Sequence, residues 1–171
     1  MTRDNILQNS IWTEAKLNVY SSFFQKEVKL QLFTSDFNLE NTQSIISERF
    51  VETVNDFISL SEKDKPLMKS LLYRHCLACS EQISYGFELL DGETEQQANL
   101  REFGVSDEES VFEKANLDHV AIQEDEFFAH RFVRIIFYPE WDSHGCELIL
   151  KNGNLLDYYG EGDTYFGQFD D

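Results

Sequence analysis

Residues 127–160 read FFAHRFVRIIFYPEWDSHGCELILKNGNLLDYYG, and this stretch decides the fold. Within Arg131–Tyr138, Phe132, Val133, Ile135, Ile136 and Phe137 make a nearly unbroken apolar run. Such a run predicts a strand buried on both faces. Pro139–His144 is a turn. Glu147–Lys151 and Leu155–Tyr159 are then predicted to pair across Asn152-Gly153. That dipeptide suits a type I′ turn, which needs positive φ at both central residues. The whole is predicted to be an antiparallel meander in the middle of a sheet.

Working outward, His119–Gln123 is a short strand, followed by the charged turn Glu124-Asp125-Glu126. Val28, Leu30 and Leu32 alternate with polar neighbours, so Lys16–Phe24 and Glu27–Phe33 are predicted to form a first hairpin. Residues 1–10 read as a polar lead-in. Ile46, Phe50, Val54, Phe57 and Ile58 fall on one helical face, with Asn41 or Thr42 as the cap. Glu48, Arg49, Glu52 and Asp56 make the opposite, solvated face. Ser61-x-x-Asp64 followed by Pro66 announces a second helix running to about Gln82. Its buried stripe is Leu67, Leu71, Leu72, His75, Cys79 and Ile83.

Residues 91–116 form an acidic excursion with two short helices, Gln96–Phe103 and Ser106–Ala115, the latter opened by Ser106-x-x-Glu109. An acidic, aromatic tail closes the chain over 161–171. The expectation is therefore one α+β domain spanning 1–171. Its mostly antiparallel sheet carries a C-terminal meander, and an antiparallel pair of helices packs on it.

Thirty-two acidic against 14 basic residues give a formal net charge of −18. A field of that sign repels nucleic acid and anionic membrane and attracts basic proteins. With 42% hydrophobic residues the chain is too apolar to be disordered. Residues 1–26 carry no apolar core of signal-peptide length, and no run approaches the ~20 apolar residues of a membrane span. Three cysteines, an odd set, fit a reducing cytoplasm.

Candidate chemistry is sparse. Cys76-Leu-Ala-Cys79 lies within the second helix rather than at its N-terminus, so it reads as small buried thiols. Cys76, Cys79, His144 and Cys146 make a formal Cys3His zinc set, but His144-Gly145-Cys146 lacks the usual structural-zinc spacing. No nucleophile elbow, P-loop or dinucleotide-binding glycine pattern is present. No catalytic residue and no cofactor is expected.

Tyr138-Pro-Glu-Trp-Asp-Ser-His-Gly-Cys-Glu-Leu-Ile-Leu-Lys-Asn-Gly-Asn-Leu, with the element order above, resembles an uncharacterised bacterial domain family, DUF6985. Trp141, Asp142, His144 and Gly145 match that family's Trp-Asp…His-Gly turn, while Ser143 stands where Glu is usual. The resemblance implies an immunity-like protein that binds and neutralises a cognate bacterial toxin. The charge adds that such a toxin is basic and nuclease-like.

On that reading Trp141, Asp142, His144 and Gly145 build a structural turn, with Asp142 in an Asx-turn. The partner surface is expected at Glu102, Asp107, Glu108, Glu109 and Glu113, at Glu124, Asp125 and Glu126, and in the tail at Asp163, Tyr165, Phe166 and Asp170. The alternatives are a metal-assisted hydrolase using His144 with nearby carboxylates, and a non-enzymatic scaffold module.

Overall fold

A computed structural model describes residues 1–32, 46–123, 127–162 and 164–171. The expected loop at 34–41, the caps Asn41 and Thr42, and Glu124, Asp125, Glu126 and Asp163 lie outside the described residues.

The chain opens with helix α1 (Arg3–Asn9), where a loose lead-in is expected. Thr2 caps it in a reciprocal box with Asn5. Its Ile6 is fully buried, which ties the short helix to the core. A single turn of 3-10 helix at Trp12–Glu14 leads into β1 (Lys16–Ser21) and β2 (Lys26–Gln31). These form the expected first hairpin, with Val19 opposite Val28.

Helix α2 (Glu48–Ile58) buries Phe50, Val54 and Phe57, as its periodicity predicts. Ser47 caps it by accepting from the Phe50 amide. Its outer face is not merely solvated. Arg49 donates to the carbonyls of Phe128 at 2.8 Å and His130 at 2.7 Å. Asp56 receives Arg131 through two parallel hydrogen bonds of 2.8 and 3.1 Å, and Glu52 takes a third at 3.0 Å. This forked geometry fixes where the chain enters the next strand but one.

Helix α3 (Lys65–Gln82) begins after the predicted Ser61–Asp64 capping box and ends at the predicted residue. Its buried face holds Met68, Leu71, Leu72, His75, Cys76 and Cys79, while Ile83 just beyond it is exposed. Two short helices follow, α4 (Glu95–Glu102), capped by Thr94, and α5 (Glu108–Lys114), capped by Asp107 rather than by Ser106. Helix α3 packs chiefly against α4, α5 and the last strand, while α2 lies across the middle of the sheet. The region read as an excursion thus supplies the main helical neighbours of α3.

The sheet continues with β3 (Leu117–Gln123), β4 (Phe132–Phe137), β5 (Cys146–Lys151) and β6 (Asn154–Gly160). Strand order follows the sequence, β1 to β6. Every neighbouring pair is antiparallel except β2–β3, which is parallel. A parallel pair needs a long crossover, and residues 32–116 with α2–α5 supply it. The meander therefore fills one half of the sheet, with β6 at its edge, rather than the middle. Asn152 and Gly153 have φ of 48° and 76°, as the predicted turn requires.

Strand β4 is buried on both faces, as its composition predicts. Val133, Ile135 and Phe137 enter the large core beneath the helices. Phe132 enters a second, small core with Ile149 and Phe166 on the far face. Phe166 comes from a 3-10 turn at Phe166–Phe169, so the tail roofs that face.

Candidate functional site

The polar cluster nearest to a site lies where α3 meets the β4–β5 turn. The turn folds back over the end of β4. Gly145 sits at φ +91°, and a Cβ there would meet the Phe137 carbonyl oxygen and the Tyr138 ring, each at 2.9 Å. Only glycine suits that conformation and that approach. Asp142 accepts the His144 amide at 2.9 Å, the Asx-turn expected of it. Trp141 is fully buried, and its carbonyl accepts a hydrogen bond from the Tyr85 hydroxyl.

From this turn Trp141 and Asp142 reach His75 on α3. The indole Nε1–H of Trp141 donates to His75 Nδ1 at 3.1 Å. His75 Nε2 lies 3.2 Å from Asp142 Oδ2 and 3.6 Å from Cys79 Sγ. Indole nitrogen only donates, so Nδ1 must be the acceptor and Nε2 must carry the proton. Burial pulls the His75 pKa below its ordinary value of 6.5, opposed by the Asp142 carboxylate. The ring is therefore neutral at pH 7, with both nitrogens committed.

This assignment limits the chemistry. A general base needs a free lone pair on a ring nitrogen, and His75 has none to offer. Burial also pushes the Cys79 thiol up to about 12 and the Cys76 thiol up to about 11. Cys146, more buried still, is raised further in the same direction. The nucleophile of thiol chemistry is the thiolate, so these groups are inert at neutral pH.

His75, Cys79 and Asp142 place their ligand atoms within 4.8 Å of one another, close enough to share a metal ion. The donor set conflicts with one. Binding through Nε2 would move the imidazole proton to Nδ1, where it would face the Trp141 N–H. The formal Cys76, Cys79, His144, Cys146 set, whose spacing argues against zinc, is not assembled among the described residues. Cys76 Sγ instead lies 4.0 Å from Ser80 Oγ, and the His144 side chain is 81% exposed. His75, Cys79 and Asp142 themselves line a cavity of about 200 Å³, together with Gln82, His144, Tyr159 and Glu161 among others. The relay from Trp141 through His75 to Asp142 ties α3 to the turn by side-chain contacts of 3.1 and 3.2 Å. Sequence reading placed His75 in the core and the turn at 139–144 but did not join them.

The expected partner residues are scattered in role. Glu102 is salt-bridged to Arg101, and Glu109 to Lys69. Asp107 caps α5 by accepting from the Ser110 amide at 2.8 Å, and this hydrogen bonding lowers its pKa. Asp170 accepts the amides of Ala129 at 2.8 Å and His130 at 2.9 Å, fastening the tail.

Phe166 is not an exposed anchor. It is 1% exposed, stacked on Phe132 at 4.7 Å with the Arg134 guanidinium 4.4 Å from its ring. Burying such a side chain stabilises by roughly 1.5–3 kcal/mol, which explains why the tail folds inward. Tyr165 beside it is 71% exposed.

Glu108 and Glu113 remain. Both are exposed on α5 and form no ion pair among the described residues. Glu113 stands on a cleft of about 260 Å³ walled by Phe24, Phe112, Leu117 and Phe137, with Lys26 and Asn116 also lining it. The rings of Phe24 and Phe112 stand nearly parallel, 6.3 Å apart.

Among the described residues, no helix is long and apolar enough to cross a membrane. The model of a domain of unknown function, DUF6985, matches residues 4–166. No curated protein and no solved structure matches the chain.

Proposed function

The chain belongs to the DUF6985 family, a domain of unknown function, and from its charge and its α5 surface we propose that it is a non-catalytic binding protein, an immunity-type inhibitor of a cationic bacterial toxin. The observation that carries this reading is the outward face of α5. There Glu113 stands unpaired among the described residues on the lining of an aromatic cleft, while Glu108 is exposed and unpaired at the start of the same helix, on a molecule of net charge −18. Free carboxylates on a strongly negative body accelerate encounter with a basic protein. An aromatic-walled cleft with a carboxylate at its rim accepts the stem and head of a lysine or arginine side chain. The same charge imitates the polyanion that a nuclease would bind. The hydrogen bonds of the Trp141–His75–Asp142 relay are satisfied internally, which weighs against chemistry at that cluster.

The test pairs this chain with the C-terminal domain of a secreted protein encoded beside it. Co-expression is expected to restore growth of cells poisoned by that domain, and the two purified proteins are expected to form a stable complex. Glu108→Lys with Glu113→Lys should weaken the complex without altering the fold. A toxic neighbour that this chain neither binds nor silences would overturn the proposal.

The rival, a metal-assisted hydrolase, rests on the proximity of His75, Cys79 and Asp142. Metal analysis of purified protein discriminates. Stoichiometric zinc or manganese, lost on His75→Gln, would favour the rival.

A further inference from the structure

Between His75 and Arg101 the chain carries five acidic residues and no basic one. Residues 83–94 of that span form a loop whose two sides differ. Tyr85 and Phe87 turn inward and pack edge-on against Phe103, with ring centroids 4.9 and 5.5 Å away. Leu89 and Leu90 turn outward, 52% and 58% exposed.

Polar contacts hold the loop in this shape. Glu93 accepts the Leu90 amide at 2.9 Å and returns its own amide to the Leu90 carbonyl at 2.9 Å, closing a turn over Asp91 and Gly92. Gly92 stands at φ +79°, in the left-handed region that the turn uses. Arg101 forks onto both carboxylate oxygens of Glu93 at 2.9 and 3.0 Å and donates to the Glu88 carbonyl at 2.9 Å. The two leucines are thus displayed on a pre-shaped turn, which spares a partner the cost of ordering them.

The charge around them is local. Arg101 and Glu93 neutralise one another. Glu81, Glu88, Asp91 and Glu95 are exposed and make no ion pair among the described residues. The flanks of residues 33–45 stand elsewhere in the fold. Leu32 donates to the Ala15 carbonyl and Ile46 accepts from Arg3, whereas Tyr85 fastens this loop to the Trp141 carbonyl beyond the end of β4. Residues 33–45 include Asp36 and Glu40 and no lysine or arginine, so they offer these carboxylates no counter-charge.

We propose that residues 88–91 are a docking surface for an amphipathic helix of a partner protein. Its apolar stripe would lie on Leu89 and Leu90, and its lysines or arginines beside Glu88, Asp91 and Glu95. A second copy of this chain, paired face to face, would set those carboxylates against one another. The turn shares no residue with the α5 face, so this inference stands or falls apart from the proposed function.

The test follows the backbone amide shifts of the full chain by two-dimensional NMR as a peptide is added. The probe is a blocked helical peptide of leucine and lysine with its leucines on one face. The control has the same composition in an order without helical periodicity. Amides of residues 88–93 are expected to shift with the probe and not with the control. Leu89→Ser with Leu90→Ser keeps the net charge and should weaken binding of the probe roughly tenfold. Glu88→Gln, Asp91→Asn and Glu95→Gln together should weaken it and flatten its salt dependence. Should either variant fail to fold, the comparison of the two peptides on the native chain still decides.

Probe shifts that leave residues 88–93 unmoved would overturn the inference, as would a leucine variant that binds the probe as tightly as the wild type. Shifts of the same amides on raising protein concentration without peptide would assign the turn to a second copy, and would overturn it too.

Discussion

Trp141 donates its indole N–H to Nδ1 of His75 at 3.1 Å, across 66 residues of sequence, with both side chains buried. One hydrogen bond thereby fixes the tautomer of the histidine, the docking of α3 and the path of the β4–β5 turn. Trp141→Phe leaves Nδ1 unpaired in the core and is expected to cost about 1–3 kcal/mol, before any loss from the smaller ring. Urea unfolding should show a lower midpoint at unchanged slope. A double variant, Trp141→Phe with His75→Leu, should lose less than the two single variants together, because removing both partners leaves less polarity stranded.

The same histidine sets a pH dependence. Burial holds its folded pKa below the ordinary 6.5. As pH falls through that value, the unfolded chain takes up a proton and the native protein does not. Stability is then lost with falling pH, and the loss ends only below the folded pKa. Unfolding free energy measured from pH 8 down to pH 5 should fall less steeply in His75→Gln than in the wild type. Equal slopes would show that His75 is not kept neutral by the fold.

Much of this architecture is legible in the sequence where local chemistry is strong. The apolar run at Phe132–Phe137, the Asn152-Gly153 turn and the Ser61–Asp64 box each specify an element by themselves, and each is observed. Helix α1 is hidden because seven residues give only two turns and bury one side chain, Ile6. The parallel β2–β3 pairing is hidden because, among the described residues, only two residue pairs make it, Leu30 with Val120 and Gln31 with Ala121.

The site is less legible still. Trp141 and His75 each announce a buried polar atom that needs a partner, but nothing local says that they satisfy one another. Phe166 misleads in the opposite sense. Its acidic neighbours suggest an exposed anchor, while the hydrophobic face left open on β4–β5 draws it inside. Charge composition was read directly. Which carboxylates are spent on caps and ion pairs, as Asp107 and Glu109 are, required the fold.

The tail depends on a small residue in β6. A Cβ on Gly160 would meet Thr164 Oγ1 at 2.5 Å, Glu147 Oε1 at 2.9 Å and the Tyr158 hydroxyl at 3.0 Å. Glu147 is fully buried and accepts the Thr164 amide at 2.9 Å, and Arg134 donates to the carbonyls of Gly162 and Thr164. Gly160→Ala is expected to break this clasp, costing about 1–3 kcal/mol through overpacking. Limited proteolysis should then cut within 161–171 well before the body of the domain. Equal cleavage rates in variant and wild type would remove the clasp from the account.

The central claim is that unspent carboxylates on α5 exist to meet a cationic protein. Its most direct measurement is the association rate between this chain and the proposed partner, a cationic toxin domain, followed from about 50 mM to about 500 mM salt. The account predicts a fall of roughly tenfold or more across that range, with a shallower slope in Glu108→Lys with Glu113→Lys. A rate that stays flat with salt, or a slope that the double variant leaves unchanged, would contradict it.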